Sequence, residues 1–118
     1  MRETRLWLLS LACTTLLLFL LGAHFALMHY SPVFYGQTVE ETRTFAALLE
    51  RGRQTAFLVI YLLFLAAALY HGLYGLRGIL LELPLARSYG RWVSGALVVV
   101  GLAFFAYGTY VTWWTFTQ

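Results

Sequence analysis

Lysine is missing altogether, cysteine occurs once, proline twice, and only 11 % of the 118 residues are charged. A single thiol, Cys13, closes no disulfide within the chain and builds no cysteine-based metal or iron–sulfur site, so packing is its expected role. The shortage of charge excludes the ordinary soluble domain, in which roughly a quarter of residues are charged. No Gly-rich phosphate loop, internal repeat or low-complexity tract is present. The formal net charge of +3 belongs to positive loops and ends, so no nucleic-acid partner is expected.

What the chain has instead is apolar length, with hydrophobic residues at 61 % and aromatics at 18 %. Leu6 to Ala23 is interrupted only by Ser10, Thr14 and Thr15, and the apolar character resumes through Met28. Ala56 to Leu81 carries only His71 and Arg77 as ionisable groups, and Trp92 to Phe116 carries none. Each run exceeds the ~20 residues that cross a hydrocarbon core about 30 Å thick. The expected fold is therefore an all-α integral membrane protein, a single domain of three antiparallel transmembrane helices with spans near 6–29, 56–81 and 92–116. A secretory signal is a poor account of the first run, because the run continues far past Cys13.

Arginine sets the orientation. Arg2, Arg5, Arg77, Arg87 and Arg91 gather at the N-terminus and the second loop against Glu3 and Glu82. The first loop balances Arg43, Arg51 and Arg53 with Glu40, Glu41 and Glu50. By the positive-inside rule the N-terminus and the Leu83–Gly90 turn face the cytoplasm. Trp7 and Trp92 then mark the inner interface, and Trp113 with Trp114 the outer one. Val39 to Thr55, with glutamates early and arginines late, is expected to form a short amphipathic surface helix. Leu83 to Gly90 reads as a tight turn bounded by Pro84 and Gly90.

The second run raises the functional question in "ALYHGLYGLRG", Ala68 to Gly78. His71 lies fifteen residues after Ala56, ~22 Å along a helix, and so sits at membrane depth. An ionisable group there normally faces protein, cofactor or a wet cavity. Arg77 is ~9 Å farther inward and can reach the headgroups by snorkelling. Gly75 and Gly78 fall on the face of His71 at helical spacing, with Gly72 beside them. One imidazole above absent side chains admits three readings. A partner helix approaches closely and the histidine is hydrogen-bonded; a haem ring lies on the face with His71 on the iron; or the histidine serves proton movement or transport. In "GAHFALMHY", His24 and His29 lie on different sides of the first helix and form no metal pair. His29 reads as interfacial. His24 is deeper, with structural hydrogen bonding and ligation of a second haem as its alternatives. His24 and His71 lie near opposite leaflets, so an iron held by His71 takes its second histidine from another polypeptide, and the chain reads as half of a two-subunit anchor bundle.

These residues resemble a known family. "LYHGLYGLRGILLE", Leu69 to Glu82, is similar to the second helix of the smaller membrane anchor, the D subunit, of succinate dehydrogenase and its fumarate reductase relatives. "LLLFLLGAHFALMHY", Leu16 to Tyr30, and "YGTYVTW", Tyr107 to Trp113, resemble its first and third helices. The resemblance implies a non-catalytic subunit of succinate dehydrogenase (quinone) in the inner (cytoplasmic) membrane, working in the respiratory chain and the tricarboxylic acid cycle. It implies the C subunit of the anchor, an iron–sulfur subunit, a flavoprotein subunit and membrane lipid as partners. It implies a b-type haem and a quinone, menaquinone or ubiquinone, as cofactors. His71 falls at the axial haem ligand, with Gly75 and Gly78 below it. His24 falls where relatives with two haems have a ligand to the outer one, and Arg77 near the propionates or the inner quinone pocket. Glu82 stands at the usual aspartate. Leu83 stands where several relatives carry a quinone-binding tyrosine, which leaves that phenol contact without a counterpart. The alternatives are a cytochrome b or quinone-binding anchor of another respiratory complex, and a haem-free membrane assembly protein.

Overall fold

The computed structural model describes the backbone of residues 2–118 and their side chains other than those of residues 31, 32, 85 and 86. It is all-α. Three long helices, α1 (Arg2–Tyr35), α4 (Thr55–Glu82) and α6 (Gly90–Thr117), are joined by short ones, α2 (Val39–Thr42), α3 (Phe45–Gly52) and α5 (Pro84–Ser88). Each long helix contains a stretch long and apolar enough to cross a membrane. The chain is a multi-pass membrane protein.

The helix ends follow local chemistry rather than hydropathy. α1 runs six residues past the apolar stretch, because a backbone stays helical after it leaves lipid until something stops it. Gly36, at φ 64°, follows it directly in the left-handed region that glycine enters at little cost. The first loop forms two short helices instead of one. Thr38 caps α2 through Glu41 N–H while its own N–H donates to the Glu41 carboxylate at 2.6 Å, a reciprocal capping box. The Thr44 hydroxyl then accepts from Ala47 N–H at 3.2 Å and starts α3 afresh. The second turn also differs from expectation: Pro84 opens the short helix α5, since its fixed φ suits a first helical position.

α4 is the middle of the bundle. It packs on both α1 and α6, which make no contact with each other among the described residues. α1 and α6 run one way and α4 the other, as shown by Glu3 beside Arg77 and Ser10 beside His71 along one seam, and by Gly101 against Leu73 and Gly108 against Leu65 along the other. Ala67 is the one buried hydrophobic residue among those described, at 4 % exposure. Three helices in a row have almost no interior, and large side chains such as Phe19, Ile79 and Trp92 point outward. That outward apolarity is what a lipid solvent or a second membrane subunit would cover.

Candidate functional site

His71 is held at the α1–α4 interface. Its Nδ1 lies 2.8 Å from the Thr14 hydroxyl and 3.2 Å from the Ser10 hydroxyl, both on α1. Thr14 donates its own hydrogen to the Ser10 carbonyl at 2.8 Å. Ser10 is buried, and Ala67 is one turn from His71 on the same face of α4, so small side chains let the helices close around the imidazole. Next to it the Tyr70 hydroxyl donates to the Leu6 carbonyl at 3.1 Å. Nε2 of His71 makes no hydrogen bond among the described residues. Gly72, Gly75 and Gly78 have open space where a Cβ would stand. Among the described residues no helix therefore uses these glycines for close packing, whereas Gly101 and Gly108 on α6 do face Leu73 and Leu65 closely.

Arg77 belongs to a different station. Its Nε donates to the Ser94 hydroxyl on α6 at 2.9 Å, and its guanidinium stands 3.6 Å from the Glu3 carboxylate on α1. It thus bridges the two outer helices at the N-terminal end of the bundle. It lines a groove of about 790 Å³ with Tyr70, Tyr74, Ser94, Arg2 and Arg91, floored by apolar side chains. His71 does not line this groove. Glu3, at the start of α1, and Ser94 both lie within reach of the Arg77 guanidinium. Glu82, the last residue of α4, and Tyr89, the residue before α6, are exposed and line neither cavity.

The opposite end holds His24. It lines a cavity of about 390 Å³ between α1, α4 and the loop helices, with Arg51, Gln54 and Tyr61. Arg51 donates to the Thr42 carbonyl at 2.7 Å, and Arg53 to the Gln118 carbonyl at 2.6 Å, which tie the loop to itself and to the end of α6. His29 stacks edge-on against Phe25, with ring centroids 4.1 Å apart. His24 is ten residues beyond Thr14, so it stands ~15 Å along α1 from the level of His71. Among the described residues no three His, Cys, Asp or Glu side chains gather as a metal-ion site. An iron bound here draws on single histidines. The hydroxyls of Ser10 and Thr14 escaped notice in the sequence, where they looked like mere interruptions. Their i, i+4 spacing puts them on one face of α1, and the packing of α1 on α4 turns that face to His71.

Together these features define a class: a three-helix membrane protein with one imidazole held midway along its central helix and an arginine-rimmed groove at one end. The chain is 30 % identical over 109 residues to the succinate dehydrogenase hydrophobic membrane anchor subunit of Archaeoglobus fulgidus, an alignment spanning 92 % of this chain and 87 % of that protein. It belongs to the succinate dehydrogenase membrane-anchor subunit family, and its general role is that of a non-catalytic membrane anchor in a respiratory complex. No family model and no solved structure matches it.

Proposed function

We propose that this chain is one half of the membrane anchor of a succinate:quinone oxidoreductase, holding a b-type haem through His71 and a quinone in the arginine-rimmed groove. The observation that carries the haem reading is the state of His71. Nδ1 is committed to α1, Nε2 has no partner among the described residues, and the glycines nearby leave open space. A lone nitrogen donor beside open, apolar surroundings fits one axial position of a haem iron. When bound, the haem supplies one-electron storage close to the quinone. This chain's residues then fix the imidazole, keep the surroundings apolar and provide room for the ring at Gly75 and Gly78.

A second histidine for the iron would come from the partner anchor, the C subunit. In the groove, Arg77 retains N–H donors beyond its bonds to Ser94 and Glu3, which suits a quinone carbonyl oxygen. The quinone is menaquinone or ubiquinone. His24, on its own cavity, is the ligand of an outer haem where the complex carries two. Arginines at the N-terminus and the second turn, together with Glu82, form the cytoplasmic face on which the iron–sulfur and flavoprotein subunits dock. The whole chain is then a single anchor domain, its N-terminus inside the cell.

The test is haem content of the complex purified in mild detergent. Wild type should show a reduced b-type spectrum, and His71→Ala should lose the inner haem while His29→Ala keeps it. Equal pyridine haemochrome in wild type and His71→Ala overturns the ligand assignment. Absence of haem from the wild type favours the structural alternative, in which His71 only joins α1 to α4. Co-purification of flavoprotein and iron–sulfur subunits checks the docking role.

A further inference from the structure

We infer that Thr14, seconded by Ser10, is a positioning residue that fixes the tautomer of His71 and reserves Nε2 as its ligating nitrogen; this rests on the haem reading above. The argument is an inventory of hydrogens. A threonine hydroxyl has one hydrogen and two acceptor lone pairs. Thr14 gives that hydrogen to the Ser10 carbonyl at 2.8 Å. Its oxygen, 2.8 Å from Nδ1, is left able only to accept. A contact that short needs a hydrogen between the two atoms, so Nδ1 carries it. A neutral imidazole has one N–H, and Nε2 is therefore the nitrogen with the lone pair.

Ser10 adds direction. Its oxygen is 3.2 Å from the same Nδ1 and offers a second acceptor, so the ring plane is set from two points one helical turn apart. Both hydroxyls belong to α1 while His71 belongs to α4, so the register of the two helices sets the ring orientation. A plain structural tie between helices would be served by either tautomer. Donation from Nδ1 to a neutral oxygen acceptor also raises the donor strength of Nε2, as outer partners of ligating histidines do.

Two measurements test this. In the full chain in lipid nanodiscs, without haem and with 15N-labelled histidine, the His71 signal is identified by its loss in His71→Gln. Its nitrogen shifts should place the proton on Nδ1. The double variant Ser10→Ala/Thr14→Val should move it to Nε2 or to a mixture, and Thr14→Ser should restore it. In the purified complex, the double variant should release haem to apomyoglobin ~10–100-fold faster, on the scale of lost outer partners of metal ligands. Its haem midpoint potential should rise, because a weaker donor stabilises ferric iron less. Thr14→Ser should match wild type in both.

A proton on Nε2 in the haem-free wild type overturns the inference. So does an unchanged haem-release rate and potential in the double variant while His71→Ala lacks the haem, a result that leaves the ligand assignment standing. Full haem retention by His71→Ala overturns the ligand assignment, and the role given to Thr14 falls with it.

Discussion

The two faces of α4 are built on opposite principles. Toward α6 it offers Leu65 and Leu73, which fill hollows at Gly108 and Gly101; a Cβ at those glycines would stand 2.5 and 2.6 Å from the leucine tips. Toward α1 it offers Tyr70 and His71, which bond to Leu6, Ser10 and Thr14. In lipid, apolar burial does little to separate protein from solvent, so helices associate by close packing or by hydrogen bonds. Mid-bundle, close packing leads on the α6 side and hydrogen bonds lead on the α1 side, while nearer the end of α4 the Arg77–Ser94 bond adds a polar tie to α6. The packed side fixes helix separation; the polar side also fixes the imidazole of His71.

The largest effect is expected where the packed face is overfilled. Gly108→Leu places a branched side chain against Leu65, and overpacking of this kind costs about 1–3 kcal/mol. The complex should lose thermal stability, read as a lower midpoint in detergent, while any haem in the remaining assembled fraction keeps its wild-type spectrum. A changed haem spectrum with unchanged stability would show that the two faces are not separate in function. Gly75→Ala, which meets open space within this chain, should not destabilise the isolated chain, since alanine is the better helix former by about 0.5–1 kcal/mol, and any loss should fall on what the chain binds.

On the polar face, Tyr70→Phe removes the bond to the Leu6 carbonyl and nothing else of similar shape. A typical net loss is about 0.5–1.5 kcal/mol, smaller than the glycine effect. Thermal unfolding of the two variants side by side checks the order. Tyr70→Phe exceeding Gly108→Leu would mean that hydrogen bonds, not packing, dominate the bundle.

Arg77 joins both outer helices, and its two bonds should separate by exposure. Losing the bond to half-buried Ser94 through Ser94→Ala is expected to cost about 0.5–1.5 kcal/mol. Glu3→Gln weakens a pair whose carboxylate is 65 % exposed, where surface ion pairs contribute about 0–1 kcal/mol. Raised salt should diminish the Glu3 effect and leave the Ser94 effect in place. Equal salt sensitivity of the two would show that the groove is wetter than its apolar floor implies.

The three long helices were legible in the sequence because length and hydropathy alone decide which segments suit a hydrocarbon slab. His71 and Arg77 stood out for the same reason, as ionisable groups where few are tolerated. Helical spacing puts Gly75 and Gly78 on the face of His71 but says nothing of which neighbour they meet. Gly101 and Gly108, which do the packing, sit seven residues apart in an otherwise uniform run and carried no distinguishing mark. Nor could spacing pair Ser10 and Thr14 with a histidine on another helix, since the register of α1 on α4 depends on contacts along their whole length. Charge pattern predicts one amphipathic helix in the loop because it registers a surface but not a break; Thr44 makes the break by capping.

The smallest effect concerns that loop, outside both interfaces. The backbone N–H of Thr38, and then its hydroxyl, hold the Glu41 carboxyl below its ordinary value of 4.5. A carboxylate with a depressed folded value stabilises the fold above its unfolded value, and this contribution is lost as pH falls through the lower folded one. The capping box should therefore be intact at neutral pH and open only in acid, below about 4.5. Glu41 is fully exposed, so the global midpoint should hardly move, and the readout must be local. Amide exchange at Thr38, corrected for its intrinsic pH dependence, should lose protection in that acid range in wild type. Glu41→Gln, which still accepts a hydrogen bond but does not titrate there, should show a flat profile. A titrating profile in Glu41→Gln would assign the acid sensitivity to Glu40 or Glu50 and leave the cap as a neutral turn. Because α2 packs on α1 and α3 and, among the described residues, on neither α4 nor α6, the helix content of the bundle, read by far-UV circular dichroism, should stay constant across the same titration.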